Sequence, residues 1–288
     1  MSYKTQKFII TITFLAIPLL LLLVFVYYPA IRLFQISLTN WDGLSKEMKF
    51  IGFRNYTEAF QDKKLFMALT NNLAYLVAGL FQTTFGFYFA VVLNTKIKGR
   101  NFFRSGIFMP YILNGVAVAF MFNFLYNYQS SPINVVVRYL GFDGIHFLGN
   151  EYYANFSLAF IGFWKYTGFA MIIFLGALQS ISTDYYEAAS IEGATFIQKI
   201  RYITLPLVKQ SVELLLILTI NGSLQAFYEP FIITKGGPAG RTATFVTHTI
   251  TTAFEFSKFG KASAMGIILM FMIIIVVSIQ RRLTRSEE

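Results

Sequence analysis

Residues Glu187–Ala194 read EAASIEGA, and residues Ile203–Pro206 read ITLP. They belong to a polar segment of a chain that otherwise consists largely of long apolar runs. Its Ala-rich start favours a helix, Gly193 favours a positive φ that ends this helix, and Thr195–Tyr202 can form a second short helix. The sequence therefore predicts two short helices joined by a sharp turn, in a loop outside the hydrocarbon of a membrane.

The ends of these helices also carry local signals. Thr183 or Asp184 is expected to cap the first helix, and Glu187 is expected in its first turn, where the helix dipole favours an acidic side chain. Pro206 fits the first turn of the helix that follows. The loop, about residues 183–206, presents small residues that suit close docking into a groove on a partner.

Composition restricts the class of protein. The 288 residues are 56% hydrophobic, 18% aromatic and 13% charged, whereas soluble domains average about 25% charged residues. The absence of cysteine excludes a disulfide framework, thiol catalysis and cysteine-ligated zinc. His146 and His248 lie far apart in the sequence, which disfavours a metal site.

The apolar residues form six blocks long enough to cross a bilayer, which takes about 20 residues each. The first block resembles a signal peptide but is longer than a usual apolar core and lacks a cleavage site, so we expect it to be retained. The sequence predicts an all-α integral membrane protein with one membrane domain, residues 1–288. The six blocks are Ile9–Tyr28, Leu69–Leu93, Ile107–Tyr126, Asn155–Leu178, Val212–Ile233 and Ala262–Ile279.

The distribution of Lys and Arg sets the expected orientation, because these residues concentrate in cytoplasmic loops. Counts on the two sides are nearly equal, but the short connection Lys96–Arg104 is densely basic, while the long segment Pro29–Ala68 mixes lysines with acids. Both termini, with the basic cluster that includes Arg285, and the 183–206 loop are therefore placed in the cytoplasm. The net charge of +10 then reflects topology, since no basic soluble module exists to bind nucleic acid.

On the opposite side, three short stretches carry local signals. Asn40–Gly43 and Gly236–Pro238 predict turns. Tyr152 and Tyr153 are expected to anchor the chain at the membrane interface.

The polar loop resembles the EAA loop of binding-protein-dependent ABC importer permeases. Gly193 stands six positions after Glu187, and a Leu-Pro pair ends thirteen positions after the glycine, at Pro206. Two positions differ from the usual pattern: Glu192 stands where Asp is common, and Ile200 where an aromatic residue is common. Physics alone favours an ordinary amphipathic loop on the membrane surface, and the run of residue types is what points to the family.

The resemblance covers nearly the whole chain. Asn134 is similar to an outer-segment position of the family, Trp164–Gln179 to the helix before the EAA loop, and Gly236–Ala264 to the closing segment of sugar-type permeases. The chain thus resembles the carbohydrate-uptake, maltose-type branch, near its shorter permease without a large outer domain. The fold that this implies is the type I ABC importer permease, with six transmembrane helices and a cytoplasmic coupling helix.

The resemblance implies a non-catalytic permease subunit of an ATP-driven importer for a sugar or oligosaccharide, in the bacterial cell membrane. Its implied partners are a second homologous permease, a dimer of ABC ATPase subunits that holds ATP and Mg, an extracellular substrate-binding protein and membrane lipid. This chain would bind no cofactor or metal. The residues expected to couple it to the ATPase are Glu187, Ala188, Ala189, Glu192, Gly193, Ala194, Leu205 and Pro206.

This chain is not expected to hydrolyse ATP itself. It has no G-x-x-x-x-G-K-[ST] motif, and the nearest match, Gly260–Ser263, lacks the upstream glycine. Asp184, Glu187 and Glu192 resemble paired catalytic carboxylates, but they lie in a loop without an obvious pocket, which favours docking and capping roles.

Polar residues inside the apolar blocks are candidates for the transport path, because ionisable groups at membrane depth are costly. Asn221, Gln225, Tyr228 and Glu229 follow helical spacing, so most should share one helix face. Amide and carboxylate groups beside aromatic rings suit an uncharged saccharide. The further candidates are Asn114, Lys165, Tyr166, Gln82 and Asn123.

Alternatives remain for these residues and for the chain. Hydrogen bonding between helices is favoured for each polar residue alone, and is as well supported as substrate contact for the Asn221–Glu229 face. Lys165 is slightly favoured to extend to the membrane interface. The rival functions are an ion-gradient secondary transporter, a membrane enzyme, and an ABC permease for a non-sugar solute such as glycerol-3-phosphate.

Overall fold

The computed structural model describes residues 2–150 and 153–284 of the chain. Tyr152, predicted as an interface anchor, and Arg285, predicted in the cytoplasmic basic cluster, lie outside the described residues. The described residues are helical apart from loops and one isolated β-bridge between Thr39 and Phe50. They form two compact units, one comprising residues 2–63 and 249–271, the other residues 64–150, 153–248 and 272–284.

The helices are named in chain order. They are α1 Tyr3–Leu22, α2 Tyr28–Ser37, α3 Arg54–Phe60, α4 Lys63–Asn94, α5 Arg100–Ile112, α6 Gly115–Leu125, α7 Pro132–Tyr139, α8 Ala154–Gln179, α9 Thr183–Ile191, α10 Phe196–Lys199, α11 Leu205–Leu207, α12 Lys209–Leu224, α13 Phe245–Phe254 and α14 Phe259–Thr284. Three π-helical segments, Leu23–Tyr27, Ile200–Thr204 and Pro230–Thr234, lie between them.

Four helical stretches are long and apolar enough to cross a membrane: Tyr3–Ser37, Lys63–Asn94, Ala154–Gln179 and Phe259–Leu283. Two further pairs of helices pass the same test together but are bent. The angle is 98° between α5 and α6, and 71° between Phe196–Leu207 and α12. The described residues therefore hold four to six candidate spans, in agreement with the predicted all-α membrane fold.

Proline explains two of the irregular segments. Pro29 and Pro206 each follow a five-residue π-helical segment by two positions. Proline has no N–H, and its ring clashes with the carbonyl four residues earlier. The preceding turn therefore adopts the wider π-helical form, in which hydrogen bonds join residues five apart instead of four. Pro206 was predicted in the first turn of the next membrane helix, which is wrong: it lies in α11, before the bend at Val208.

Small residues allow the helices of the Lys64–His248 unit to approach closely. A Cβ atom on Gly168 of α8 would lie 2.1 Å from the carbonyl oxygen of Ile107 in α5, and one on Gly86 of α4 would lie 2.6 Å from the Ala170 side chain. In a membrane, helix association depends on such close packing because lipid offers no hydrophobic driving force between helices. These contacts fix α4 and α5 against α8.

In the other unit, one polar side chain holds the connection after α2. The amide of Asn55 donates to the carbonyl oxygens of Ser37 and Thr39, at 2.8 and 2.7 Å. The predicted turn at Asn40–Gly43 is confirmed, since Gly43 has φ +91° and Asp42 accepts hydrogen bonds from Ser45 and Leu44. These bonds, the Ser45 hydroxyl first, lower the pKa of Asp42 from 3.8 to about 2.

The helix contact at Gly168 predicts a measurable difference between two glycines of α8. Gly168→Ala should lower the melting temperature of the purified protein in detergent, because overpacking of this kind costs about 1–3 kcal/mol. Gly176→Ala is the matched control, since no atom lies within 4 Å of a Cβ built on Gly176. Equal melting temperatures for the two variants would contradict the close packing of α5 on α8.

Candidate functional site

A cavity of about 460 Å³ opens within the Lys64–His248 unit. Its walls include Tyr75 and Gln82 of α4, Tyr111 of α5 and Tyr166 of α8. The end of α12 and the residues after it complete the polar lining with Asn221, Gln225, Tyr228 and Glu229. The four residues that the sequence grouped by spacing therefore do meet at one cavity.

They do not meet on one helix face, so that part of the prediction is wrong. The helix α12 ends at Leu224 with Gln225 as its C-cap, and the helical turn that carries Tyr228 and Glu229 begins only after this break. The ring of Tyr228 then packs against Gly115, where a Cβ atom would lie 3.1 Å from the ring. The break aims both side chains into the cavity.

The break is held by hydrogen bonds from distant residues. The buried amide of Asn72 donates to the carbonyl oxygens of Ser223 and Leu224, at 2.6 and 3.3 Å. Its own oxygen accepts the backbone N–H of Phe245 at 3.0 Å. Carbonyls in the last turn of a helix have no partner within the helix. Asn72 supplies a hydrogen-bond donor to these carbonyls, and so stabilises the end of α12 at the cavity wall.

Tyr75 is a site residue that sequence reasoning missed. Its side chain is 9% exposed and lines the cavity, and its hydroxyl has no hydrogen-bond partner among the described residues. A buried polar group without a partner is costly and uncommon. Tyrosines are frequent in this chain, and nothing local in the sequence separates Tyr75 from those that face lipid.

The other predicted path residues lie in different places. Gln82 lines the cavity, whereas Asn114, Asn123 and Lys165 do not. Asn114 caps α6 by accepting the N–H of Val116 at 2.9 Å. Lys165 is only 7% exposed, with its ammonium 5.4 Å from the ring centre of Tyr166, so it does not extend to the membrane interface as predicted.

The 183–206 loop has the predicted helix–turn–helix form, with different details at its start. Ser182, and not Thr183 or Asp184, caps α9 by accepting the N–H of Asp184. Asp184 occupies the first turn, and Glu187 lies beyond it. The two corrections share one cause, because α9 begins at Thr183 itself and Ser182, just before it, has the extended backbone of a cap.

The turn at the centre of the loop agrees with the prediction. Gly193 has φ +79° and follows Glu192, the C-cap of α9. Thr195 then caps α10 in a reciprocal arrangement with Gln198, in which each side chain bonds the backbone of the other. The sharp turn separates two short, well-capped helices.

Two side-chain contacts tie the arms of the loop together. The hydroxyl of Tyr186 in α9 lies 3.0 Å from that of Thr204, which is buried at the base of the second arm. Lys199 donates from its ammonium to the hydroxyl of Ser190 at 2.6 Å. The outer side of the loop stays exposed, including several side chains of the predicted coupling set: Glu187, Ala188, Glu192, Leu205 and Pro206.

Residues 82–287 match the profile of a protein family described as the binding-protein-dependent transport system inner membrane component. The chain belongs to this family. It is thus a multi-pass inner membrane protein and a non-catalytic permease subunit.

Relatives of this permease cover almost its whole length. It is 33% identical to the probable ABC transporter permease YurN of Bacillus subtilis, over 93% of both chains. It is 32% identical to the multiple sugar-binding transport system permease MsmF of Streptococcus mutans, over 96% of this chain and 95% of that one.

The fold is also that of a solved transporter. A chain in the crystal structure of a bacterial ABC transporter involved in import of the acidic polysaccharide alginate superposes with a TM-score of 0.85 and 23% identity. The match covers 98% of this permease and 97% of that chain.

The role of Asn72 gives a testable prediction. Asn72→Ala should lower the free energy of unfolding by about 1–3 kcal/mol for each buried backbone group left without a partner. The exposed Asn94, at the end of the same helix, is the matched control, and Asn94→Ala should leave thermal unfolding unchanged. If both variants unfold at the same temperature, Asn72 does not hold the break after α12.

Proposed function

We propose that this permease carries a sugar or oligosaccharide across the membrane, and that the cavity beside α12 contacts the sugar. The observation that carries this is the lining itself, which places four tyrosines beside two side-chain amides of the α12 end and one carboxylate. Aromatic faces pack on sugar rings, while amide and carboxylate groups bind hydroxyls in fixed directions. The sugar-transport relative MsmF supports the same class of solute.

The charge of the lining favours a neutral saccharide over an anionic solute. Glu229 is the one ionisable acid on this wall, and no Lys or Arg lines the cavity within the described residues. Phosphate recognition usually uses Arg, Lys or a helix N-terminus. The alternative of a phosphorylated solute such as glycerol-3-phosphate therefore has no support here, and membership of a binding-protein-dependent family opposes an ion-gradient transporter.

The second part of the proposal concerns the 183–206 loop. It acts as the coupling helix of one permease domain, residues 1–288, and inserts into a groove of an ATPase subunit. Its exposed small residues and its two internal ties support this role, since a tied loop transmits a push as a rigid body. The complex contains a second homologous permease, an ATPase dimer holding ATP and Mg, and an extracellular binding protein.

These parts define an alternating-access cycle. The binding protein delivers the sugar to the outer face, with both termini of this permease and the coupling loop in the cytoplasm of a bacterial cell. Closure of the ATPase dimer moves the coupling loop, and the membrane helices tilt as rigid bodies. The cavity then opens to the other side. Because the coupling loop is separate from the cavity, mutations can affect coupling and sugar binding independently.

If the cavity is part of the transport path, uptake should respond differently to the loss of two amide side chains in membrane helices. Gln82→Ala should reduce uptake of the transported saccharide several-fold, because Gln82 lines the cavity. Asn123→Ala is the control, since Asn123 is exposed on α6 and lies off the cavity wall. Uptake is measured in proteoliposomes at equal permease content. Equal loss of uptake in both variants would show that the cavity does not contact the transported saccharide.

The coupling role predicts that Gly193→Pro abolishes uptake and substrate-stimulated ATPase activity while the protein stays in the membrane. Proline requires φ near −65°, which is incompatible with +79° at this position. Gly193→Asn is the matched control, because asparagine tolerates the left-handed conformation and should retain coupling.

Glu187→Lys should abolish coupling in the same assays, because it reverses the charge of an exposed side chain on the docking surface. Glu187→Gln keeps the size of the side chain and should cause a smaller loss. Substrate-stimulated ATPase activity that is unchanged in Gly193→Pro and Glu187→Lys would refute the coupling role.

A further inference from the structure

The short helix α7, Pro132–Tyr139, turns Asn134 toward the protein, while Arg138 is exposed but bonds back to the chain. Asn134 is fully buried; its amide donates to the carbonyl oxygens of Tyr128 and Ile145, both at 3.1 Å, and its oxygen accepts the N–H of Ile145 at 2.7 Å. Arg138 donates to the carbonyl oxygens of Gln129 and Tyr128 at 3.0 and 2.7 Å. The side chains of Asn134 and Arg138 are thus hydrogen-bonded within the α7 segment and its neighbouring loops.

The apolar side of α7 faces outward. Val135, Val136, Tyr139 and Leu140 are all exposed, Tyr139 by 90%. Their spacing of one, four and five residues places them on one helix face, opposite Asn134 and Arg138. Phe142, in the turn after α7, is exposed as well. Soluble helices show the reverse arrangement, so the surroundings of this face must be apolar.

The position of α7 along the membrane follows from α8. The hydroxyl of Tyr126, just before the α7 segment, donates to the carbonyl oxygen of Ser157 in the first turn of α8 at 2.9 Å. The 183–206 loop follows the other end of α8, which is about 39 Å long at 1.5 Å per residue. This length spans a bilayer core, so α7 lies at the membrane surface opposite the coupling loop.

We propose that α7 is an interfacial helix whose apolar face lies in the lipid bilayer, at the boundary between acyl chains and headgroups. Apolar side chains at the near ends of the flanking helices, Phe124 of α6 and Phe156 of α8, are exposed as well. Tyrosine is enriched at this depth, and apolar faces of amphipathic helices bind there.

A binding protein is a weaker occupant of this face. A protein that is bound only while it delivers the sugar would leave four apolar side chains in water between deliveries, where their exposure is unfavourable. Lipid covers them at every stage of transport. The internal bonds of Asn134 and Arg138 give α7 its structure without a partner protein.

The absence of cysteine from this chain allows a direct test. A nitroxide is attached to Leu140→Cys, and separately to Val136→Cys, in the complete transporter with partner cysteines replaced. The complex is placed in nanodiscs of phosphatidylethanolamine and phosphatidylglycerol. Collision rates with oxygen and with a water-soluble nickel chelate are measured by electron paramagnetic resonance, calibrated with spin-labelled lipids. Glu47→Cys, on the exposed outer connection, is the aqueous control.

The expected result is a collision ratio shifted toward oxygen at both α7 positions, to the depth of the headgroup boundary, and a nickel-dominated ratio at Glu47→Cys. Three results would overturn the proposal. Nickel-dominated collisions at both α7 positions would show a water-exposed face. Protection from both reagents would show a protein subunit covering it, and protection that appears only when the binding protein is added would show a docking surface.

Discussion

One buried amide controls the geometry on which the cavity depends. Asn72 bonds two carbonyls at the end of α12 and the N–H of Phe245, residues more than 150 positions away along the chain. Thr244 adds a bond from its hydroxyl to the carbonyl oxygen of Ala226 inside the break. In a lipid environment an unpaired backbone group is expensive, so an interruption in a membrane helix requires such partners. The cavity therefore depends on α4 and the segment before α13 as much as on its own walls.

The two candidate regions have opposite physical designs. The cavity is formed where the regular helix α12 stops, and one polar group of its wall, the buried hydroxyl of Tyr75, has no hydrogen-bond partner among the described residues. The 183–206 loop is formed where regular structure is reinforced by caps and by the ties at Thr204 and Ser190. A surface that binds a solute benefits from unused hydrogen-bonding groups, whereas a surface that transmits force benefits from having none free to rearrange.

Much of the fold could be predicted because membrane spans and turn glycines leave local marks. Apolar length indicated the spans, and Gly193 indicated the turn through its backbone freedom. The residues lining the cavity were grouped correctly, but the reason given for the grouping was incomplete. Helical spacing joined Asn221 to Glu229, but the break between them is imposed by Asn72, which no local pattern reveals. Tyr75 and the inward-facing Lys165 were missed or misplaced for the same reason, because burial depends on neighbours distant in sequence.

The first helix carries a consequence of a different kind. No residue of α1 is buried by the other described residues, so its apolar side chains are not packed into a core of the described chain. The sequence of α1 is therefore constrained mainly by the length needed to cross the bilayer, and one apolar residue can replace another there at little cost to the chain's own stability. Variation among apolar residues in α1 is therefore expected to change how the chain contacts lipid before it changes the packing of the chain itself.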